Sequence, residues 1–487
     1  MYDHIIKYTK WDKKENKIYL NSCKKYLQLS NLQIYFPILS LYFYYHNTKN
    51  ANKIIDLNRK YKVLEIIDSI EYKYYNSNKL CKCKILDTNL KININVELFC
   101  KCIHILDPLH MMMNNYNLNN TSLPNNYTYN AQSKINDIHN TAYIDIFFSY
   151  LMSELTIKNI LPNFPIFYGS INGIIDEYKF DITEEYPEFI NEKWFNKNIG
   201  DIFTIDMFVS NGESGESRES GESRESGESG ESDTSDTSDS DIDSCSIDDD
   251  FICKLKNFPV QYMFLEKLEG TLEDFLVGDI NAELLKSCLF QIIFALAYLQ
   301  KHYKFTHNDL HINNIMYQST NITHLYYKYN NTYFKIPTCG YIFKIIDFGR
   351  SIFTLKNKTF FNDVYSKYGE AEGQYHYPIP NVPLYEKDRY ELDIKPNYSF
   401  DMCRLITTIL DEIDNTDLEL YQFLNDIVID KDGNNIFEDM TDSFDLYIDI
   451  AKNAVNGIPH ILLQNDIFKT YRTKKRLFPR KEYYCMD

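Results

Sequence analysis

Two short motifs, each built around an aspartate, constrain the possible folds and activities of this chain more than any other part of its sequence. The first spans residues 306–316 (THNDLHINNIM) and follows residues 284–303, whose apolar content predicts a long helix. The second spans residues 343–349 (FKIIDFG), where an apolar, β-branched run predicts a strand that ends at Asp347. Gly349 permits a sharp turn after that strand. The motifs therefore predict a polar loop after a helix and a carboxylate at the end of a strand.

The residue types in these motifs suit phosphoryl transfer. Asp309 can orient an attacking hydroxyl and accept its proton. Asn314 can help to hold a metal ion that bridges the phosphates, and the carboxylate of Asp347 is a hard oxygen ligand for Mg²⁺. An Asp-Phe-Gly tripeptide alone is common, but its position after the Asp/Asn loop makes it specific. We expect the three side chains to converge on one cleft.

Together these motifs resemble those of the protein kinases. Residues 307–310 (HNDL) with Asn314 are similar to the HRDLxxxN catalytic loop of that family, and residues 347–349 match its DFG motif. Residues 399–405 (SFDMCRL) look like the start of the family's central helix, whose Asp401 would hydrogen-bond the backbone of the catalytic loop. The combination looks most like the divergent, eukaryotic-like serine/threonine protein kinases of large cytoplasmic (giant) DNA viruses.

The resemblance implies an α+β, bilobal protein-kinase-like fold, with a small β-rich N-lobe that carries one helix and a large, mainly helical C-lobe. It implies ATP and Mg²⁺ (or Mn²⁺) as cofactors and a protein as substrate. It makes Asp309 the catalytic base, and Asn314 and Asp347 the metal ligands. The expected reaction is transfer of the γ-phosphoryl group of ATP to a serine or threonine hydroxyl of a protein.

The resemblance also assigns a nucleotide-binding hinge. Residues 260–268 (VQYMFLEKL) look like the fifth strand of the N-lobe and the hinge that follows it. Glu266 and Leu268 would then present backbone groups to adenine, with Leu265 as the gatekeeper.

The phosphate-anchoring lysine of the family lies on the third strand. Lys101, within LFCKCI, fits that position, and Glu154 in the following predicted helix is its expected partner. The alternatives are an ordinary exposed lysine at position 101, or an anchor at Lys82 or Lys84 on the preceding strand.

Three departures from the family pattern leave two other functions open. The turn at residues 68–78 has no glycine, although the family has Gly-x-Gly-x-x-Gly there, and this favours a pseudokinase that acts as a scaffold. His311 replaces a lysine, as in haspin-like kinases and aminoglycoside phosphotransferases, which favours a small-molecule phosphotransferase. Asn308 replaces an arginine, so activation through a phosphate–arginine pair is not expected. The hinge, the central helix and the complete lysine, aspartate and asparagine set favour a protein kinase.

His311 is also a candidate catalytic residue. Its neutral imidazole can donate one hydrogen bond to the γ-phosphate. A nearby anion would favour its charged form.

The charge of the chain is concentrated in one segment. The net charge is −18, of which residues 211–250 contribute −13, from 15 acidic residues and 2 arginines. The near-balanced remainder argues against nucleic-acid binding. The segment consists of Gly-Glu-Ser and Asp-Thr-Ser repeats with almost no apolar residues, so we expect it to be disordered. It is either a solvated spacer or a segment that is phosphorylated or binds a basic partner.

The 11 scattered cysteines are typical of a reduced, intracellular protein. We therefore expect a cytoplasmic location, or the host cytoplasm or virion if the chain is viral. The N-terminus lacks the pattern of a signal peptide. The most apolar window, residues 32–45, is shorter than the roughly 20 residues of a spanning helix and contains Pro37, so no membrane segment is predicted.

The domain organisation follows from these features. We expect an N-terminal extension at residues 1–60 and a kinase-like domain at residues 61–487, with the N-lobe at 61–268, its disordered insert at 211–250 and the C-lobe at 269–487. Polar, Asn-rich residues 114–130 predict a loop. Strands are predicted at 63–72, 79–86, 95–105, 164–168 and 260–265, helices at 141–161 and 284–303, and a hairpin at 324–337.

Four cysteines are candidate ligands of a zinc ion. Cys81 and Cys83, and likewise Cys100 and Cys102, are spaced so that each pair lies on one face of a predicted strand. Structural zinc sites usually use glycine turns or wider spacing. We therefore favour the alternative, in which these residues pack as small apolar side chains.

Overall fold

The computed structural model describes residues 8–10, 13–34, 55–116, 123–124, 133–209, 218–219, 249–278, 281–366, 369–375, 396–413, 418–437, 443–475 and 483–486. The acidic segment 211–250 lies outside the described residues apart from residues 218–219 and 249–250. Most of the predicted loop 114–130 also lies outside them.

The described strands are β1 Tyr8–Lys10, β2 Leu29–Gln33, β3 Ile55–Leu57, β4 Tyr61–Glu71, β5 Lys79–Asp87, β6 Ile92–His104, β7 Phe167–Asp181, β8 Phe203–Val209, β9 Arg218–Glu219, β10 Asp249–Glu266, β11 Gly270–Thr271, β12 Ile315–Ser319, β13 His324–Tyr329, β14 Thr332–Pro337, β15 Tyr341–Ile345, β16 Phe353–Leu355, β17 Lys358–Phe360, β18 Arg472–Thr473 and β19 Tyr484–Cys485.

The described α-helices are α1 Lys17–Tyr26, α2 Pro108–Met112, α3 Ser133–Asn136, α4 Thr141–Ile157, α5 Tyr186–Phe189, α6 Lys193–Asn198, α7 Ala282–Tyr303, α8 Phe400–Glu412, α9 Leu418–Ile427, α10 Ser443–Asn453 and α11 Pro459–Leu462. Short 3-10 turns lie at Leu272–Phe275, Ile312–Asn314, Asp363–Tyr365 and Asp466–Tyr471.

The main sheet is antiparallel and has the strand order β2-β7-β10-β6-β5-β4, with β8 paired to the first part of β10. Side chains on β5 alternate between the core and the outside, and Cys81, Cys83 and Ile85 all face the core. Cys100 on β6 is buried as well. These thiols pack as small apolar residues, and within the described ranges no group of three or more His, Cys, Asp and Glu residues is arranged to hold a metal ion.

Helix α4 crosses the sheet as a buried element. Nearly all of its residues are buried, which is typical of a helix that is apolar on every side. The side chain of Asn140 caps it by accepting a hydrogen bond from the N–H of Ala142 at 3.0 Å. The helix ends at Ile157, earlier than the predicted residue 161, and Asn159 then adopts a left-handed conformation with φ 54°.

Helix α7 is largely buried and is the predicted helix 284–303 with two more N-terminal residues. Asn281 caps its start, and Lys304 ends it in a left-handed conformation with φ 47°. By length and composition α7 could cross a membrane, but 83% of its most apolar window is buried inside the protein. The apolar side chains of α7 therefore pack inside the protein in this structure.

The predicted hairpin is confirmed. Strands β13 and β14 pair from His324 with Pro337 to Tyr329 with Thr332, and Asn330 and Asn331 both adopt positive φ in the turn. Strands β18 and β19 add to its two edges, so that residues near the C-terminus complete this sheet.

The strands predicted at 63–72, 79–86 and 95–105 are confirmed as β4, β5 and β6. Strand β2, within the predicted extension 1–60, pairs with β7 and so joins the main sheet. The structure is of mixed α and β type and contains a curled sheet. The division into two lobes and the boundaries at residues 60 and 268 stay predictions.

Candidate active site

A buried carboxylate from α8 holds the polar loop that follows α7. Asp401 is fully buried and accepts hydrogen bonds from the N–H of His307 and the N–H of Asn308, both at 2.9 Å. The ring nitrogen Nε2 of His307 lies 2.8 Å from the carbonyl oxygen of Ile346. The contact expected for Asp401 is therefore present, and the loop is tied to the strand that leads to Asp347.

Asn314 connects the other residues of this loop. Its side-chain Nδ2 donates to the carbonyl oxygen of Asp309 at 2.8 Å and lies 2.9 Å from Nε2 of His311. Because an amide nitrogen can only donate, Nε2 of His311 acts as the acceptor and the ring is neutral. The carbonyl oxygen of Asn314 accepts a hydrogen bond from the N–H of Ile346 at 3.0 Å. Asn314 therefore lies beside Asp347.

Lys101 lies between two carboxylates. Its Nζ is 2.8 Å from Oδ2 of Asp145 and 2.9 Å from Oδ1 of Asp347. Burial alone would lower the pKa of Lys101, but the two carboxylates outweigh it and raise that pKa. Partial burial likewise disfavours the charged form of Asp347, yet Lys101 outweighs it and lowers the pKa of Asp347 to about 2. Both groups are therefore charged at neutral pH.

The partner of Lys101 on α4 is Asp145, and the prediction of Glu154 is wrong. The two acids are nine residues apart in the sequence, so Glu154 lies about 14 Å farther along the helix axis, given a rise of 1.5 Å per residue. Asp145 lies between Ile144 and Ile146 in an otherwise apolar stretch. A charged group at a fully buried position needs a partner, and this signal in the sequence could have identified it.

Asp145 also fixes the turn after Asp347. Its Oδ1 accepts a hydrogen bond from the N–H of Phe348 at 3.0 Å. The ring of Phe348 is buried against Phe148 of α4, with ring centroids 5.0 Å apart, and lies 5.6 Å from the ring of His307. Asp347 itself has φ 60°, a conformation that these contacts hold in place.

The donor set suits a magnesium ion. Both hydrogen-bonding contacts of Asp347, from Lys101 and from the N–H of Gly349, use Oδ1. Among the described residues, Oδ2 of Asp347 and Oδ1 of Asn314 have no hydrogen-bond partner. A carboxylate and an amide oxygen on adjacent chain segments are hard ligands of the kind that Mg²⁺ takes. The residues present therefore fit the metal that the motifs imply.

The predicted hinge lies at the end of β10. Leu265 is buried, and the carboxylate of Glu266 is 2.6 Å from Nζ of Lys344 and accepts the N–H of Ile166. The N–H of Leu268 makes no hydrogen bond with the described residues. These contacts fix the side chain of Glu266 and leave the Leu268 N–H available to a ligand.

Two further residues contact Asp309, and the sequence analysis assigned a role to neither. Nη1 of Arg350 lies 3.6 Å from Oδ1 of Asp309, and the hydroxyl of Tyr447 donates to the same oxygen at 2.6 Å. Arg350 directly follows the Asp-Phe-Gly motif, so its position carried a signal. Tyr447 lies far along the chain in α10, and no motif marks it.

Three known proteins are similar to segments of this chain, and all three carry the names of serine/threonine-protein kinases. A segment of 102 residues, 20% of this chain, is 33% identical to the serine/threonine-protein kinase haspin homolog of Drosophila melanogaster and covers 18% of it. A longer segment of 198 residues, 38% of this chain, is 30% identical to a protein of Acanthamoeba polyphaga mimivirus that carries the name of a serine/threonine-protein kinase, and covers 46% of it. A third segment of 106 residues, 20% of this chain, is 37% identical to 9% of a Dictyostelium discoideum protein with a serine/threonine-protein kinase name.

In these segments the chain is similar to divergent serine/threonine protein kinases. The resemblance predicted from the motifs, including that to kinases of large DNA viruses, is thereby confirmed. The chain spans less than half the length of each of these relatives, and no family model matches it.

The turn for which the resemblance predicted glycines is instead anchored by hydrogen bonds. The turn between β4 and β5 contains Ser77 and Asn78, and no glycine. Asn78 Oδ1 accepts the N–H of Cys102, and Ser77 accepts hydrogen bonds from the N–H of Lys179 and from the hydroxyl of Tyr262, all at 2.8 Å. The turn is therefore fixed to the sheet beside Lys101 by side chains.

His311 is neutral in this structure. Burial lowers its pKa and outweighs the opposing effect of Asp309. A shift towards the charged form would have to come from a bound phosphate, and that effect stays a prediction.

Proposed function

We propose that this protein transfers the γ-phosphoryl group of ATP to serine or threonine hydroxyls of a protein. The observation that carries the proposal is the ion pair between Lys101 and Asp347, joined through Asn314 to the loop that presents Asp309. A cation, a carboxylate and an amide oxygen that can hold a metal ion, and a carboxylate base are the groups that this reaction needs. The kinase names of the relatives support the same reaction.

Each side chain has a role in the proposed reaction. Lys101 would bind phosphate oxygens, while Asp145 keeps its ammonium group in place. Asp309 would orient the attacking hydroxyl and accept its proton. Asn314 and Asp347 would hold Mg²⁺ or Mn²⁺, which neutralises charge on the phosphates when bound. Glu266 and Leu268 would bind adenine through their backbone groups.

A cavity of about 280 Å³ opens beside the loop and is a candidate location for part of the substrate. It is bordered by the carboxylates of Glu273, Asp411 and Glu412 and by the guanidinium of Arg404. Because both signs of charge line it, the first substrates to compare are an acidic and a basic protein. Small hydroxylated molecules are the third class of substrate to test, because small-molecule kinases also have a histidine at the position of His311.

The test is phosphoryl transfer from labelled ATP by the purified protein, with Mg²⁺ or Mn²⁺ and each of these substrates. Asp347→Ala should abolish the metal-dependent turnover while the protein stays folded by circular dichroism. Asp432→Asn, which removes an exposed carboxylate that lines neither the site nor this cavity, is the matched control for loss of one carboxylate.

Three results would contradict the proposal. Turnover that is unchanged in Asp347→Ala would contradict the assigned site. Transfer only to small alcohols would make the protein a small-molecule phosphotransferase. Nucleotide binding without transfer to any substrate would make it a pseudokinase.

A further inference from the structure

Tyr447 brings a hydroxyl from a distant helix onto the proposed base. Its hydroxyl donates to Oδ1 of Asp309 at 2.6 Å, from the first turns of α10. The Tyr447 side chain is largely buried, with 9% of the residue exposed. The contact is therefore built into the packing of α10 and does not depend on a mobile surface residue.

The ring of Tyr447 is held from several directions. The guanidinium carbons of Arg404 and Arg350 lie 4.7 Å and 5.3 Å from its centroid, within the range of cation–π attraction. The ring of Phe400, at the start of α8, lies 6.1 Å away. These contacts restrict the ring to one orientation.

The hydroxyl stays a donor at neutral pH. Burial raises the pKa of Tyr447, and the negative charge of Asp309 raises it further. The phenol is therefore protonated, and its single proton points at the carboxylate.

The contacts to Asp309 fall on one side of its carboxylate. Tyr447 and Arg350 both approach Oδ1. Among the described residues Oδ2 has no hydrogen-bond partner. A carboxylate whose one oxygen is fixed in this way has its second oxygen oriented for another donor.

We propose that Tyr447 is a positioning residue: by binding Oδ1 of Asp309 it orients Oδ2 towards the substrate hydroxyl. The inference deepens the proposed phosphoryl transfer and rests on it. The competing interpretation is that the tyrosine hydroxyl occupies the place of a substrate hydroxyl and inhibits the reaction. Binding to the oxygen that Arg350 also approaches, and confinement of the ring, favour the positioning role.

The experiment compares Tyr447→Phe with Tyr471→Phe. Tyr471 is a matched control because its hydroxyl also donates to a carboxylate, Oε1 of Glu283 at 3.0 Å, at the N-terminal end of α7, whereas the loop follows the C-terminal end of that helix. We expect Tyr447→Phe to lower kcat roughly 10- to 100-fold, the scale of a misplaced catalytic group. The KM for ATP should stay within about twofold, because nucleotide binding does not use Tyr447. Tyr471→Phe should leave kcat unchanged.

A double variant tests whether Tyr447 acts through Asp309. In an Asp309→Asn background, Tyr447→Phe should change the residual rate by less than about twofold, because residues that act as a unit are not additive. A full additive loss there would indicate a general structural effect and overturn the positioning role.

Other outcomes are also decisive. An unchanged kcat in folded Tyr447→Phe would overturn the inference, and an increased kcat would favour the inhibitory interpretation. If Tyr447→Phe does not fold, Arg404→Gln, which loosens the ring without touching Asp309, should lower kcat, and an unchanged kcat would overturn the inference. An inactive wild-type protein would instead contradict the proposed function itself.

Discussion

At the residue scale, helix α4 contains two acidic residues, Asp145 and Glu154, whose surroundings differ. This difference decides which of them pairs with Lys101. Asp145 is 1% exposed, and its two oxygens bind Lys101 and the N–H of Phe348. Glu154 is only partly buried, and its burial raises its pKa. Removing the partner of a buried lysine is costly, whereas a partly exposed acid is usually dispensable.

We therefore expect Asp145→Asn to lower kcat/KM for ATP about 100-fold, because Lys101 loses one of the two charges that orient it. Glu154→Gln should change kcat/KM less than about twofold. Steady-state kinetics on both variants, with melting curves as a folding control, measure the difference. Equal losses in the two variants would contradict the pairing.

His139 predicts a pH dependence of stability. It is buried, its Nδ1 lies 3.0 Å from the carbonyl oxygen of Phe361, and the two rings stack at 4.0 Å. Burial lowers its pKa from 6.5 to about 4, which the backbone contact and Asp363 partly oppose and Lys358 reinforces. Between these values the unfolded chain takes up a proton that the folded protein does not, so stability is lost as the pH falls from 6.5 towards 4.

Replacing His139 by Gln should remove up to about 3 kcal/mol of that pH dependence, at 1.36 kcal/mol per pKa unit. The measurement is the free energy of unfolding by urea at several pH values, and the exposed His460→Gln is the control. Burial also lowers the pKa of the partly buried His104 to about 4, so part of this pH dependence remains in every variant. If the free energy of unfolding depends on pH identically in wild type and His139→Gln, the pH dependence does not come from His139.

At the scale of elements, the acidic segment joins two strands that are already neighbours. Val209 at the end of β8 pairs with Asp249 at the start of β10. The sequence predicted a spacer between the fourth and fifth strands but not β8. Because the ends of the segment meet in an antiparallel pair, a short turn can replace it without moving either strand.

Replacing residues 211–247 by a short Asn-Gly turn should therefore change the Tm by no more than a few degrees, since loop-closure entropy depends weakly on loop length. The replacement also removes the two-residue strand β9, which pairs with β8. Calorimetry on both proteins measures the change. A fall of many degrees would indicate that the segment packs on the domain.

At the scale of the whole molecule, the site draws on parts of the chain that are far apart in sequence. Strand β6 supplies Lys101, α4 supplies Asp145, the loop after α7 supplies Asp309, β15 leads to Asp347, and α10 supplies Tyr447. A ligand that binds the folded site and not the unfolded chain must stabilise all of these elements together.

We expect ATP with Mg²⁺ to raise the Tm by several degrees, more than either alone. Asp347→Asn should lose the increment that depends on the metal, and Lys101→Met should lose most of the increment that depends on the nucleotide. Thermal unfolding with and without a chelator measures these terms. A Tm that ATP and Mg²⁺ leave unchanged would contradict the nucleotide site.

The sequence alone determined the features that are local along the chain. Residues 306–314 form the expected loop, and the strand expected before Asp347 is β15, Tyr341–Ile345, because apolar periodicity and turn residues act over a few positions. The strands β4 to β6, the helix α7 and the hairpin at Asn330 were predictable for the same reason. Asp401 was predictable because its motif has a fixed relation to the loop it binds.

Only the tertiary structure decided the contacts between distant segments. Which acid of α4 reaches Lys101 depends on how the helix lies on the sheet: the apolar neighbours of Asp145 indicate that it needs a partner, but they do not identify Lys101 as that partner. The hydroxyl of Tyr447 reaches Asp309 because α10 packs on α8, across 138 residues of sequence. Such a contact leaves no periodic or motif signal, because it is set by the packing of whole elements and not by the neighbours of either residue.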